Sequence, residues 1–110
     1  MDLKFIYLLI MFDLPTQSEK DRKKYAKFRK ALLKDGFTMI QFSCYIRICK
    51  NNYSAQAHID YIMKKIPTNG EVRILKLTSN VYNSMLVLQK GEKSDGTNEE
   101  KLMIQTVIEF

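Results

Sequence analysis

LKFIYLLIMFDLP, residues Leu3 to Pro15, is an apolar run that ends abruptly in a carboxylate and a proline. Read as a strand, it puts Leu3, Phe5, Tyr7, Leu9, Met11 and Asp13 on one face and Ile6, Leu8, Ile10 and Phe12 on the other. Both faces call for burial, which marks a central strand. An ionisable oxygen ligand at the last inward position is costly to desolvate. Asp13 therefore either caps the turn that follows or carries chemistry.

Working outward, Ser18 is the expected N-cap of a first helix, with Glu19 and Asp21 in its first turn, and Gly36 stops that helix after about Asp35. At the helical period Tyr25, Phe28 and Leu32 gather on one side, while Lys20, Lys23, Lys27, Lys30 and Lys34 line the other. That stripe is about 21 Å long at the helical rise of about 1.5 Å per residue. Phe37 to Gln41 and Ser43 to Cys49 are rich in β-branched and aromatic residues and form two short strands or one bent at Gln41-Phe42. A second helix follows from about Tyr53 to Ile66, with Ala55, Ile59, Ile62, Met63 and Ile66 as its buried stripe and Pro67 as its stop. Val72 to Leu77 is a strand, Thr78-Ser79-Asn80 a turn, and Ser84 to Leu88 a further strand. Residues 91–98, GEKSDGTN, have the composition of a flexible linker, and Lys101 to Ile108 are apolar enough for one last strand.

This order, β-α-β-β-α-β followed by additions, is the split-βαβ, ferredoxin-like arrangement of the α+β class. The expected organisation is a ferredoxin-like domain over 1–90, a linker over 91–98 and a C-terminal strand over 99–110. Both helices of such a fold cover one sheet face, so the second apolar face of the first strand has no cover within the chain. A second copy of the same sheet would bury it, which predicts a two-fold homodimer. The terminal strand could reach across to that partner or dock on another protein.

The 110 residues fit one domain with a modest core, and a net charge of +6 leans toward an anionic partner. The first strand is too short to span a bilayer and lacks the basic start and cleavage site of a signal peptide, so a cytoplasmic protein is expected. Cys44 and Cys49 lie five apart in a strand-like segment and point to opposite faces, which argues against a bridge or a shared metal; both read as small core residues.

From Ser18 to Asp35 the first helix holds eight of the eighteen basic residues and three of the twelve acids, so its excess of five is nearly the whole charge of the protein. An exposed lysine face is often just solvated, but this one has few acidic partners one turn away. Lysines act as point charges, so the contact to expect is with phosphates, salt-sensitive and blind to sequence. For catalysis the inventory is thin. His58 falls off the buried stripe of the second helix and reads as a surface side chain, and no Cys-x-x-Cys, paired His, phosphate loop or Ser-His-Asp set occurs. Asp13 remains. One carboxylate holds Mg²⁺ weakly, but a two-fold axis near Asp13 would bring two together, and a bridging ion there could polarise a phosphodiester or generate hydroxide.

Phe12-Asp13-Leu14-Pro15-Thr16, followed by Arg22, Lys27-Phe28-Arg29-Lys30, Gly36-Phe37 and Gln41-Phe42-Ser43-Cys44-Tyr45, resembles the small CRISPR-associated protein of the spacer-acquisition module, the subunit numbered two, over residues 3 to about 90. The phrases FDLPT and GFTMIQFSCY look closest to members that accompany single-protein, type II effectors. The resemblance implies a prokaryotic protein with a ferredoxin-like fold and a homodimer formed through its sheets. It also implies metal-dependent cleavage of single-stranded RNA or double-stranded DNA by some members, with the strand-end Asp of each subunit around one divalent ion. By resemblance, Asp13 is the metal-ligand and catalytic position, for Mg²⁺ or Mn²⁺. The resemblance further implies that the dimer bridges integrase dimers and lies along the duplex protospacer. Lys20, Lys23, Lys27, Lys30 and Lys34, flanked by Arg22 and Arg29, are then the expected duplex contacts. Three positions depart from the family pattern: Phe12 stands where many relatives carry Tyr, Cys44 where Val is frequent, and Ile46 where some carry an acid. The first removes a hydroxyl beside Asp13.

Two functions compete. One is a DNA-bridging scaffold in which Asp13 is structural; the other is a metal-dependent nuclease in which it is essential. An RNA-recognition module shares the element order, but Ser43 to Lys50 lacks the Gly and aromatic spacing that stacks bases on an open sheet.

Overall fold

The computed structural model describes residues 5–91. Its elements are β1 (Ile6–Asp13), α1 (Glu19–Lys34), β2 (Thr38–Gln41), β3 (Cys44–Cys49), α2 (Asn52–Met63), β4 (Glu71–Thr78) and α3 (Ser79–Asn83). The four strands form one antiparallel sheet in the order β2-β3-β1-β4, the ferredoxin-like order, with β1 inside as its two-sided hydrophobicity requires. Leu8, Ile10 and Phe12 are buried on the helix-covered face together with Tyr45 of β3 and with Tyr25, Phe28 and Leu32 of α1. Phe12 is the centre of this packing. Its ring lies 5.1 Å from Phe28 and 5.6 Å from Tyr25, both edge-on, and 5.7 Å from Tyr45, nearly parallel.

The ends of α1 are set locally. Ser18 accepts from the Asp21 amide at 3.0 Å while the Asp21 carboxylate accepts from the Ser18 amide, a reciprocal capping box. At the other end Gly36 takes φ +92°, and the Phe37 amide reaches back to the Leu32 carbonyl at 3.0 Å. This left-handed closure favours glycine. Asn51 caps α2, accepting from the Ser54 amide at 2.7 Å.

Of the two alternatives for Phe37 to Cys49, the two short strands hold; they are joined through Phe42-Ser43 with Ser43 at φ 62°. Other expectations need correction. The second helix ends at Met63, short of Ile66, so Met63 and Ile66 lie exposed past the end of the stripe that Ala55, Ile59 and Ile62 bury. Thr78-Ser79-Asn80 is the start of a short helix, because Thr78 caps it by accepting from the Val81 amide at 3.2 Å. Ser84 to Leu88 is then no strand: every strand in the described sheet is assigned elsewhere, and Leu86 and Leu88 are 81% and 92% exposed. Apart from Gly91, the expected linker over 91–98 and the last strand over 99–110 lie outside the described residues.

The opposite sheet face carries Tyr7, Leu9 and Met11 of β1, Ile46 and Ile48 of β3, and Leu75 and Leu77 of β4. It is covered in part from within the chain, contrary to expectation: Tyr82 of α3 packs its ring 5.0 Å from that of Tyr7. Phe5, Ile48 and Leu75 stay exposed.

Candidate nucleic-acid interface and strand-end carboxylate

Asp13 closes β1 with its side chain exposed, on the same alternation as Leu9 and Met11, which places it at the end of the open sheet face. Across the β1–β4 ladder its partner is Glu71, and the next pair on that face is Met11 with Arg73. Arg73 donates from Nη2 to Glu71 Oε2 at 3.0 Å. Two carboxylates and a guanidinium therefore share one corner of the sheet. The sequence singles out Asp13 as a candidate but not Glu71 or Arg73, which lie far along the chain and which register alone brings opposite β1. Among the described residues no three His, Cys, Asp or Glu side chains group so as to hold a metal ion. Mg²⁺ commonly takes one or two carboxylates and completes its shell with water and phosphate oxygens.

The corner is fixed from behind. The Phe12 amide donates to the Ser43 carbonyl at 3.1 Å, and the Ser43 and Tyr25 hydroxyls share a hydrogen bond of 2.7 Å. These contacts tie the tip of the β2–β3 connection to the end of β1 and hold Ser43 in its left-handed conformation. On the far side Gly70, at φ +101°, passes so close that a Cβ there would meet the Asp13 carbonyl oxygen at 2.6 Å. The departure at Phe12 does not bear on the site. Its ring turns into the core, away from the face that Asp13 shares, so a hydroxyl on it would point among Tyr25, Phe28 and Tyr45.

The predicted cationic residues divide. Lys20, Lys23, Lys27, Lys30 and Lys34 are exposed along α1. Arg29 is 8% exposed and faces the core between Tyr25 and Leu32, one helical turn to either side, so it cannot contact a duplex at the surface. Arg22 is half-buried and donates from Nη1 to the carbonyls of Thr16 and Gln17 at 3.0 and 3.1 Å; it holds the β1–α1 loop in place. The stripe was legible because lysines one turn apart share a face. The two arginines stand apart from the stripe in burial, a difference charge alone does not reveal, because it does not tell a solvated guanidinium from one that satisfies carbonyls or lies against a core.

His58 is not a free surface side chain. Arg47 Nε donates to His58 Nε2 at 3.2 Å, which leaves Nδ1 to donate to Asp35 Oδ2 at 2.8 Å. Both ring nitrogens are engaged in joining α1, α2 and β3, at the end of α1 remote from Asp13. Cys44 and Cys49 are not joined in a disulfide. Cys49 is buried, and burial pushes its thiol above the ordinary 9.0, with Arg47 pulling it down and Asp35 adding to the rise. Cys44 is half-buried on the open-face side.

Residues 6–85 match the family model described as CRISPR associated protein Cas2. The CRISPR-associated endoribonuclease Cas2 of Parvibaculum lavamentivorans is 41% identical over 100 residues, covering 91% of this chain and 98% of its own. The proteins of the same name from Ligilactobacillus salivarius and Lacticaseibacillus rhamnosus are 42% identical over 98 residues and 44% over 91, covering 88% and 83% of this chain and 97% and 90% of theirs. The family resemblance carried by Phe12 to Thr16 and the motifs that follow holds across nearly the whole length of these relatives, and the chain belongs to the CRISPR-associated Cas2 family.

Proposed function

We propose that the chain serves CRISPR adaptation as a homodimer that binds duplex DNA without reading its sequence and bridges integrase dimers. The observation that carries this is the separation of surfaces: an incompletely covered apolar sheet face on one side, exposed lysines along α1 on the other. Two copies joined through their sheets would turn both lysine faces outward. The exposed Met85 to Leu88 segment, which finds no partner strand among the described residues of its own chain, suits pairing with the second copy.

A second reading is favoured by Asp13 and by the relatives' name, endoribonuclease. Asp13 is exposed at the end of the open face, so a two-fold axis there would bring the two Asp13 carboxylates near each other. These hard oxygen donors suit Mg²⁺ or Mn²⁺, and Asp13 of each subunit would hold the ion. The metal would supply charge stabilisation at a phosphodiester of single-stranded RNA or double-stranded DNA.

One experiment separates the two: binding and cleavage of labelled duplex DNA and single-stranded RNA, with and without Mg²⁺ or Mn²⁺. It compares wild type with Asp13→Ala and with the triple variant Lys20→Glu, Lys23→Glu, Lys30→Glu. A scaffold predicts that Asp13→Ala binds duplex as wild type does, while the triple variant binds at least tenfold more weakly and lowers the salt slope by about 3. Unchanged affinity and slope in the triple variant would make the stripe a solvated face. Metal-dependent cutting that disappears in a folded Asp13→Ala protein would make the chain an enzyme with Asp13 at its centre.

A further inference from the structure

The C-terminal end of α2 brings Lys64 and Lys65, which belong to no predicted stripe, across from α1. Between the two helices lies a groove of about 630 Å³ whose walls carry Lys24, Lys27, Lys30 and Lys34 on the α1 side and Lys64 and Lys65 on the other. No acidic side chain lines it, and among the described residues none of the six lysines forms an ion pair. Its floor is apolar, from Phe28, Ala31, Ile66 and Pro67, and Tyr61 stands at the wall with Lys65 Nζ 5.3 Å from its ring centre. Six unneutralised ammonium groups facing one another raise each other's energy until an anion enters.

We propose that this groove takes a single-stranded stretch of polynucleotide, its phosphates on the two lysine walls and its bases toward the apolar floor. The inference deepens the nucleic-acid function proposed above and rests on it. Its occupant follows from shape and chemistry together. The groove holds about 630 Å³ between its walls, whereas the major groove of a duplex alone is about 12 Å wide and the duplex itself is wider still. A duplex can therefore touch only the lysines that crown α1, while a single strand can lie between the walls. Two cationic rows flanking apolar residues, with the Tyr61 ring beside them, match what unpaired nucleotides present: regularly spaced charge and exposed base faces. An acidic peptide would match the charge but leave the floor unused.

The test is fluorescence anisotropy with a labelled single-stranded oligonucleotide and a duplex of the same length, over a salt series, with polyglutamate as competitor. Wild type is compared with Lys64→Gln/Lys65→Gln and, as a control outside the groove, with Lys50→Gln. Lys64, Lys65 and Lys50 are all exposed, so folding is not at stake. The groove variant is expected to bind the single strand about tenfold more weakly, with a salt slope lower by about 1.4 for two contacts. Its duplex affinity, and the Lys50→Gln protein, should stay near wild type. The inference is overturned if single-strand affinity and slope do not change, if duplex binding falls by the same factor, or if polyglutamate competes as well as the oligonucleotide. Duplex binding lost in the α1 triple variant but single-strand binding unmoved in the groove variant would sink this inference and leave the duplex-binding function standing. Wild-type protein that binds neither nucleic acid would overturn both.

Discussion

Single residues show where composition informs and where it misleads. Asp13 was recognisable from its neighbours, because a carboxylate ending an apolar strand is chemically out of place. Arg22 and Arg29 were not, because each serves the fold through contacts visible only once the loop and core exist. His58 likewise became legible when Asp35 and Arg47, 23 and 11 residues away, closed on its two nitrogens. Cys49 carries a pH prediction. Its thiol titrates higher in the folded chain than in the unfolded one, because burial penalises the thiolate. The unfolded state therefore releases its proton first, and the stabilisation is complete below the ordinary 9.0 and fades as pH rises through the folded value. Thermal melts from pH 7 to 10.5 should show stability falling above about pH 9, and part of that fall should be absent in Cys49→Val. An identical decline in both proteins would show that the buried thiol contributes nothing to it.

At the scale of elements, the two-sided strand, the capped lysine helix and the Gly36 stop were all readable, since each is set by local period and local backbone geometry. The misreadings fall where two local signals compete. Ser84 to Leu88 has strand composition, but Thr78 caps a short helix just upstream, and the apolar residues that follow find no strand to pair with among the described residues. The close passage between the start of β4 and the end of β1 was also invisible, because it depends on register. Gly70 makes that passage possible, and its backbone is both left-handed and pressed against Asp13. Gly70→Ala should cost about 1–3 kcal/mol in urea unfolding, combining backbone strain with the displaced contact. It should also disturb whatever Asp13 does, so any metal-dependent cleavage should fall along with stability. A substitution that leaves the urea midpoint unchanged would mean that the β4 entrance relaxes without effort.

For the whole molecule, the fold class followed from element order, and the placement of charge followed from the helix that carries it. What the sequence could not supply was the depth of the surface: a stripe on one helix is, in three dimensions, one wall of a groove whose other wall is Lys64 and Lys65. Equally, α3 covers part of the sheet face that looked wholly bare, through the contact of Tyr82 with Tyr7. Enough of that face stays exposed, at Ile48 and Leu75 above all, for a second copy to gain by covering it. In the proposed function, bridging, the pairing of Asp13 carboxylates and the outward aim of both lysine faces would all depend on that association.

The most direct measurement is therefore sedimentation equilibrium of the full chain at micromolar concentration, alongside Leu75→Asp, which puts a charge in the middle of the open face. A dimeric wild type and a folded, monomeric Leu75→Asp are predicted. A wild type that stays monomeric, or a Leu75→Asp protein that dimerises as strongly as wild type, would contradict association through the sheet and with it the shared site at Asp13.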